Sequence, residues 1–496
     1  MSPDQLRWLD EASMAILSDP GIWCHNERAA TLFRQHGAAV TEEHEKGSVV
    51  WRVRFTAQLV KEAVAQAPRT FILGARNPAN RLLLDAETPR VYFGSGSETN
   101  LWIEAEMEEF VSRQNPQRTV LLPSYREIRG SAALLCRAAH ICEQLEHLDF
   151  FIRPVNIQDP GVNEDNHDAN KFFSSLNNIS KHVQAGLTKL ERLNDVVRMA
   201  EIIAGGPEAL RMNPLVSFIA CVFKSPLQLV SDTADKVFAI AEKGLPLVIS
   251  SSPQGGSSAP IQEAGMVAQI NAEILAGITM TQLIRPGSPV LYGSVPVRAR
   301  MDDLHDFYGC PEFNHYNNDC VQMARYYKIP CYSTAGVADA RVPGMQATFE
   351  KLLTHIYMAM SGAQYIHYAF GLLDRTNAFC PVQAVIDNEH ISKIKHCLRS
   401  PQVQEQDIAE ALAMVRKVMA TSSRLYTRYV RKAMHSGNVS SPYLFESHEG
   451  SDRVIELAIA ELKRIESLPP CHLEKAAVTQ IYDEIPGLLP ALKQTA

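Results

Sequence analysis

Eight short runs rich in β-branched and aromatic residues recur from Val91 onward, each followed by small or polar loop residues and then a longer stretch of helical periodicity. They fall at 90–95 (RVYFGS), 148–155 (LDFFIRPV), 178–186, 215–223, 245–251, 288–295, 329–336 and 363–370 (AQYIHYAF). Strand, loop and helix in alternation demand parallel pairing, because each helix must carry the chain back across the sheet, and eight such units close on themselves. The expected fold class is α/β, a (β/α)8 TIM barrel over 91–387. Residues 1–90 mix helical and extended pieces and read as an α+β amino-terminal module packed on the barrel. Residues 388–496 read as a helical carboxyl-terminal region, with one long helix expected over 403–437.

Local signals sharpen this outline. Asn26 or Glu27 starts a helix that ends at Gly37, Ser231 and Asp232 are placed to cap another, and Gly205, Gly244 and Gly362 stand where helices should stop. The segment SYREIRGSAALLCRAAHICEQL, beginning at Ser124, reads as a single helix.

Composition excludes several functions. With 46% apolar and 21% charged residues among 496, a large core is affordable. A net charge of −7 and the lack of any Lys/Arg cluster argue against nucleic acid. Apolar segments are short or broken by charge, well under the roughly 20 residues of a membrane span. The start, MSPDQLRWLDEASMAIL, carries acids inside its apolar pattern, unlike a signal peptide, so a cytoplasmic location is expected. The ten cysteines, Cys136, Cys142, Cys221, Cys331 and Cys380 among them, have unrelated spacings and are expected to be buried, reduced thiols. No CxxC or HxxxH points to a metal.

The stretch 250–265, SSSPQGGSSAPIQEAG, admits three readings: linker, phosphate loop or rim of a site. It lacks the GxxxxGK[ST] order and its lysine, and strong apolar patterns continue on both sides, so it reads as a βα loop with Pro260 near the following helix. Gly255 and Gly256 permit close approach of a ligand, and Gln254 offers an amide. In YIHYAFG, Tyr365 and His367 share one strand face, and Ile366, Tyr368 and Phe370 share the other. Together with Tyr292 and Tyr332 at neighbouring strand ends, this aromatic density suits either plain core packing or a cationic ligand held on ring faces. Arg298 and Arg300 lie beyond a strand end, where a guanidinium grips a substrate carboxylate or pairs with Asp302 or Asp303. Glu312 and His315 stand before a helix that Asn314 is placed to cap.

Longer blocks carry more. LPLVISSSPQGGSSAPIQEAGMVAQINAEILAGITMTQLIRPGSPVLYGSVPVRARMD, PEFNHYNNDCVQMARYYKIPCYSTAGVADARVPGMQATFE and GAQYIHYAFGLLDRTNAFCPVQAVIDNEHI, together with the amino-terminal LSDPGIWCHNERAATLFRQHGAAV and VYFGSGSETNL, resemble the trimethylamine methyltransferase superfamily over most of 10–395. The resemblance implies a barrel that moves a methyl group from a methylated amine to the cobalt of a corrinoid (cobalamin) supplied by a separate partner protein. Trimethylamine members carry pyrrolysine. This sequence has only standard residues, including in STAGVADAR, which points instead to members resembling glycine betaine methyltransferases. The expected substrate is a quaternary amine, glycine betaine first, with proline betaine or carnitine as alternatives. A non-catalytic betaine-binding barrel is the alternative of a different class. On this reading Glu312 and His367 are the catalytic candidates. Gln254, Tyr292, Arg298, Tyr332, Tyr368 and Phe370 bind substrate, and Ser252, Gly255 and Gly256 form the corrinoid-facing rim. A homo-oligomer without tightly bound cofactor, metal, nucleic acid or membrane contact is expected.

Overall fold

The computed structural model describes residues 1–493 apart from Lys46, Pro89, Ser97, Gln114, Pro116, Gln402, Ser423, 428–429, 431–438 and 448–451. Its centre is a sheet of eight parallel strands: β1 (Tyr92–Phe93), β2 (Phe150–Ile152), β3 (His182–Ala185), β4 (Val216–Cys221), β5 (Leu247–Ser251), β6 (Val290–Ser294), β7 (Cys331–Thr334) and β8 (Tyr365–His367). Each pairs with its neighbour in chain order, β8 pairs with β1, and a bridge between Gly94 and Phe150 joins β1 to β2 and closes the barrel. Gly94 is required there, because a Cβ would stand 2.1 Å from the Phe150 ring. One helix returns the chain after each strand: α1 (Ala132–Gln144), α2 (His167–Leu176), α3 (Leu193–Ala204), α4 (Ser231–Glu242), α5 (Glu263–Ile284), α6 (Pro311–Tyr326), α7 (Met345–Ser361) and α8 (Pro381–Cys397). The chain therefore folds as the (β/α)8 barrel its eight apolar runs required, and each run holds one barrel strand.

Several local expectations fail for identifiable reasons. SYREIRG is not helical: it ends the second strand of a long hairpin, Leu101–Val111 with Thr119–Arg129, and α1 starts behind Ser131, whose Oγ accepts from the Leu134 amide at 3.2 Å. The period-two pattern of TVLLPSYREIR is the strand signal, and its Pro123 suits a strand outside the central sheet. Helix α2 was not anticipated because its polar residues Asp168, Asn170 and Lys171 are buried with its apolar ones, which erases any stripe. Ser231 and Asp232 form the first turn of α4, whose cap is Val230, and Asn314 with His315 lies inside α6. Gly205 and Gly362 do end α3 and α7 in the left-handed conformation.

The amino-terminal segment has two structural tasks. Helix α5 is apolar nearly all round, buried from Met266 to Gln282, so its outer side needs cover. The helices Pro3–Ser18 and Ala57–Val64 supply it, and the Asn271 amide of α5 donates to Ser13 Oγ at 2.8 Å and Tyr327 Oη at 3.0 Å. Next to them, Ile22–Cys24, Ser48–Arg54 and Ala39–Glu45 form a sheet that recruits Gln228–Leu229 from the loop after β4. Further on, the hairpin Thr70–Leu73 with Leu82–Asp85 inserts Leu73, Leu82 and Leu84 under Phe150, Val248 and Leu291. That plug seals the amino end of the barrel and leaves the carboxyl end for a ligand.

Beyond the barrel, Val454–Glu466 packs on α8 and α1, and Lys475–Glu484 packs on α3. The helix expected over 403–437 spans only Glu405–Met419: residues 420–422 and 424–427 are turn or irregular, so it is not one continuous helix, and 423, 428–429 and 431–437 lie outside the described residues. Among the described residues no helix is long and apolar enough to cross a membrane, and no cluster of three or more His, Cys, Asp or Glu is placed to hold a metal.

Candidate active site

Inward-facing aromatic residues build a stacked series across three strands. Phe150 lies on Tyr365 with centroids 3.5 Å apart, Tyr365 on Tyr332 at 5.7 Å, and Tyr332 on His367 at 4.2 Å. Tyr368, held at φ +69° just past β8, brings its ring within 3.7 Å of His367. Gly96 lets it come so close, since a Cβ there would sit 2.8 Å from the Tyr368 ring. These rings form the floor and one wall of the open end.

Around them buried polar groups stand without partners among the described residues: both amide atoms of Gln184, Tyr365 Oη, His367 Nδ1, and Nε and Nη1 of Arg153. Gln184 shares the inner face of β3 with His182, whose Nε2 meets Ser217 Oγ at 2.7 Å, and β3 stands across the barrel from β7. Unmet buried polar groups are rare in folded proteins, so their convergence at one end marks a place built for a ligand. The site is reachable from outside: Cys221 and Ser252, at the ends of β4 and β5, are exposed with Sγ and Oγ 3.4 Å apart. Glu98, in the loop after β1, is 40% exposed and ion-paired to Arg153. Tyr332 lies within electrostatic reach of both Cys221 and Glu98.

Electrostatics sort these groups by protonation. Burial raises the Glu98 carboxyl, but Arg153 and Lys171 outweigh it and hold it below its usual range, hence ionised. Burial pushes His367 well below the usual imidazole value, hence neutral, and pushes the phenols of Tyr332 and Tyr365 up. His367 Nε2 lies 2.8 Å from Thr334 Oγ1, which in turn faces the Ser294 carbonyl at 3.4 Å. With the hydroxyl donating to that carbonyl, Nε2 carries the proton and Nδ1 presents its lone pair.

The residues singled out from the sequence divide into three groups. Tyr332, His367, Tyr368 and Ser252 line the open end. Gln254, Gly255, Arg298 and Glu312 belong to a small cover beside it, where Gln254–Gly255 pairs with Val297–Ala299 and that strand with Asp306–Phe307. Most of their polar groups have partners within the cover: Gln254 Nε2 donates to the Leu304 carbonyl and Asp306 Oδ1, both at 2.9 Å, and Arg298 Nη1 pairs with Glu312 Oε1 at 3.3 Å, while Arg298 Nε and Glu312 Oε2 are buried without partners among the described residues. Glu312 is a first-turn acid of α6, and Arg300 takes Asp302 and Asp303 as its partners. Gly255 is small because Tyr316 Oη and the Met266 methyl pack 3.0 and 3.1 Å from where its Cβ would be, and Gly256 turns the chain at φ +92°.

Tyr292 and Phe370 leave the site. Tyr292 sits at an outward position of β6 and donates to Asn271 Oδ1 at 2.8 Å in the helix layer. Phe370 is fully buried in the main core. Cys221 also departs from expectation, being exposed at the open end instead of buried.

Three residues were missed. Arg153 and Gln184 had a signal: a charged residue ending the apolar run FFIRPV, and an amide in the middle of a strand whose neighbours are all buried. Glu98 had none, since SGSETN reads as any loop.

A profile of the trimethylamine methyltransferase family matches residues 1–425. The chain is 30% identical over 410 residues, covering 82% of it and 76% of the relative, to the trimethylamine methyltransferase MttB of Desulfitobacterium hafniense (strain DSM 10664 / DCB-2). It is 27% identical over 495 residues, 98% and 93% of the two chains, to MttB1 of Methanosarcina mazei. It is 25% identical over 433 residues, 87% and 84%, to the glycine betaine methyltransferase of Desulfitobacterium hafniense (strain Y51).

Proposed function

The chain belongs to the trimethylamine methyltransferase family, a family of transferases, and on that premise we propose that it takes a methyl group from a quaternary amine, glycine betaine first, for the corrinoid of a partner protein. The observation that carries this reading is the aromatic floor of Tyr332, His367 and Tyr368, against which the loop of the ionised Glu98 packs through Gly96 at the Tyr368 ring. Ring faces and a carboxylate are what a tetraalkylammonium ion, which donates no ordinary hydrogen bond, is held by. One relative is named for glycine betaine, and the standard residues of STAGVADAR favour a quaternary amine over trimethylamine.

The chemistry asks little proton transfer of this chain. A quaternary nitrogen departs as a neutral tertiary amine, so no general acid is needed, which agrees with a neutral His367 and phenols pushed up by burial. When bound, the reduced corrinoid supplies the nucleophile, a Co(I) centre. The open end suits a flat macrocycle approaching from outside, since the exposed side chains ending β4 and β5 are the small Cys221 and Ser252. What remains for the protein is alignment and desolvation. Holding the methyl carbon in line contributes up to ~7–11 kcal/mol, and a dry pocket favours the charge-dispersed transition state. The aromatic grip must stay moderate, because it stabilises charge that the reaction removes.

Two apolar stripes support a homo-oligomer. Met345, Phe349, Leu353, Ile356 and Met360 are exposed along α7, and Ile408, Leu412, Val415 and Met419 along the helix Glu405–Met419.

The test is release of dimethylglycine when the purified protein is given glycine betaine and cob(I)alamin. Turnover of glycine betaine, proline betaine or carnitine, and none of trimethylamine, is expected. Binding without release of tertiary amine leaves a betaine-binding barrel, and turnover of trimethylamine alone overturns the quaternary assignment.

A further inference from the structure

We propose that Glu98 and Arg153 together form a receptor for a zwitterion, with the Glu98 carboxylate facing the quaternary ammonium group and the Arg153 guanidinium taking the carboxylate of the same molecule. This rests on the quaternary-amine reading and deepens it: residue 153 becomes the determinant that separates betaines from quaternary amines without an acid.

The pair is placed for this. Glu98 follows β1 and Arg153 follows β2, and the Glu98 amide donates to the Arg153 carbonyl at 3.0 Å, so their backbones are fixed to one another. Arg153 Nη2 bonds Glu98 Oε2, yet the two ends face different surroundings: the arginine side chain is 2% exposed and the glutamate 40%. Of the pair, Glu98 is thus the group an entering ligand meets first, two residues past Gly96, which packs against the Tyr368 ring. Its backbone, at φ +57°, lies in the left-handed region that a side chain adopts only where its surroundings enforce it.

The neighbours show that Arg153 is not an ordinary structural ion pair. Lys171 is equally buried, but its Nζ reaches the Gly186 carbonyl, Thr188 Oγ1 at 3.2 Å and Asp168 Oδ1 at 2.6 Å. Asp168 accepts in turn from the Thr188 and Lys189 amides, and His167 is engaged at both ring nitrogens, by Thr188 and Asn156. Within this cluster the unmet donors are Nε and Nη1 of Arg153. A guanidinium is permanently charged and its planar forks match a carboxylate; both forks, Nε with Nη2 and Nη1 with Nη2, share the Nη2 that Glu98 holds, so a substrate carboxylate takes a fork once Glu98 leaves it, and the unmet Nε and Nη1 supply the second donor. Turning the exposed Glu98 side chain toward the ammonium group uncovers the fork. Bound this way, the substrate's dipole runs antiparallel to that of the pair, and neither charge is left buried alone. Arg153 also tempers the pull of Glu98 on the ammonium charge that methyl transfer removes, which makes it a positioning residue.

The test is calorimetric titration of the full-length protein, without corrinoid, with glycine betaine and with choline, which keeps the trimethylammonium group and lacks the acid. The wild-type protein is expected to bind glycine betaine at least tenfold more tightly than choline. Arg153→Gln should weaken glycine betaine at least tenfold and leave choline within about twofold, abolishing the preference. Glu98→Gln should weaken both ligands. Thermal melting checks the fold of each variant, and Arg153→Lys, which keeps the charge, should retain part of the preference. An Arg153→Gln protein that loses both ligands equally, a preference that survives the substitution, or a wild-type protein that does not bind glycine betaine overturns the proposal. The two readings fail separately. Binding that depends on residue 153 without release of dimethylglycine sinks methyl transfer alone, whereas demethylation of glycine betaine and choline in a ratio that ignores residue 153 sinks the zwitterion receptor alone.

Discussion

Tyr332 of β7 stacks on His367 of β8 with ring centroids 4.2 Å apart and planes 23° from parallel. The two rings have adjacent strands under them and Tyr368 packs against His367, so neither can move without opening the floor of the site. His367→Ala or Tyr332→Leu is therefore expected to lower kcat/KM for the quaternary amine about tenfold or more, about 1.4 kcal/mol of barrier. Tyr292→Phe, which removes the hydrogen bond to Asn271 in the helix layer, should cost about 1 kcal/mol of stability and leave kcat/KM unchanged. Steady-state kinetics beside thermal melts separate the two cases, and equal kinetic effects at 292 and 367 would undo the distinction between inner and outer faces.

Lys351 of α7 and Asp387 of α8 form an ion pair at 3.1 Å with both side chains fully buried. Lys351 also donates to the Gly336 and Leu372 carbonyls, and Asp387 accepts from the Gly371 amide at 2.8 Å, so the pair ties the loops after β7 and β8 to the helix layer. Lys351→Met leaves a buried carboxylate uncompensated and should destabilise the protein by about 3–5 kcal/mol. The double variant Lys351→Met with Asp387→Leu should recover a large part of that loss in denaturant melts. A single variant as stable as the wild type would show that water reaches Asp387.

The barrel was legible because its signal is redundant: eight apolar runs at parallel-strand length, separated by helices, admit few other closures. The site was legible only in part, and the reason is facing. Period two states which residues of a strand share a face, but in a strand buried on both sides it does not state which face is inner. Tyr332 and Tyr292 lie inside adjacent strands and look alike in sequence, yet the register pairs Tyr292 with Cys331 and Tyr332 with Gly293, so one points in and the other out. Gln254, Arg298 and Glu312 were conspicuous because they are polar residues near strand ends, but in the cover Gln254 bonds Leu304 and Asp306, and Arg298 pairs with Glu312. Arg153 ends the apolar run FFIRPV and Gln184 lies among the polar residues of NISKHVQAG, so neither stands out by period alone, although each is buried in the structure.

Acidification should weaken the fold through two histidines. Burial holds His182 at about 4, between the Gly74 carbonyl and Ser217, and burial with Arg153 and Lys171 nearby holds His167 at about 4. Both lie below the ordinary value near 6.5, so between those limits the unfolded chain binds more protons than the folded one. The stability they supply is complete above about pH 6.5 and is lost as pH falls toward 4. From pH 7.5 to 5 the fully buried His182 alone accounts for about 2 kcal/mol. Melting temperatures should fall over that range, and His182→Gln should flatten the slope. An unchanged slope would mean that the imidazole is not held neutral.

The apolar stripe on α7 leads to a prediction about assembly. Met345, Phe349, Leu353, Ile356 and Met360 follow one another at spacings of three and four, which places them on one side of the helix, 90, 65, 42, 40 and 73% exposed, while Ala347, Lys351, Thr354 and Met358 face inward. The helix Glu405–Met419 has Val418 as its one buried residue and an exposed stripe of its own. A helix that buries so little against its own chain draws its stability from elsewhere. A second copy that lays this helix on the α7 stripe satisfies both surfaces, and a two-fold arrangement does so twice. Light scattering should therefore give a mass of at least twice the 55.1 kDa chain. Phe349→Glu, placing a charge at the centre of the stripe, should shift it toward the monomer. Affinity for glycine betaine should not change, because this side of α7 faces away from the barrel interior. A wild-type monomer at micromolar concentration, or a Phe349→Glu protein that stays assembled, would remove α7 as the contact.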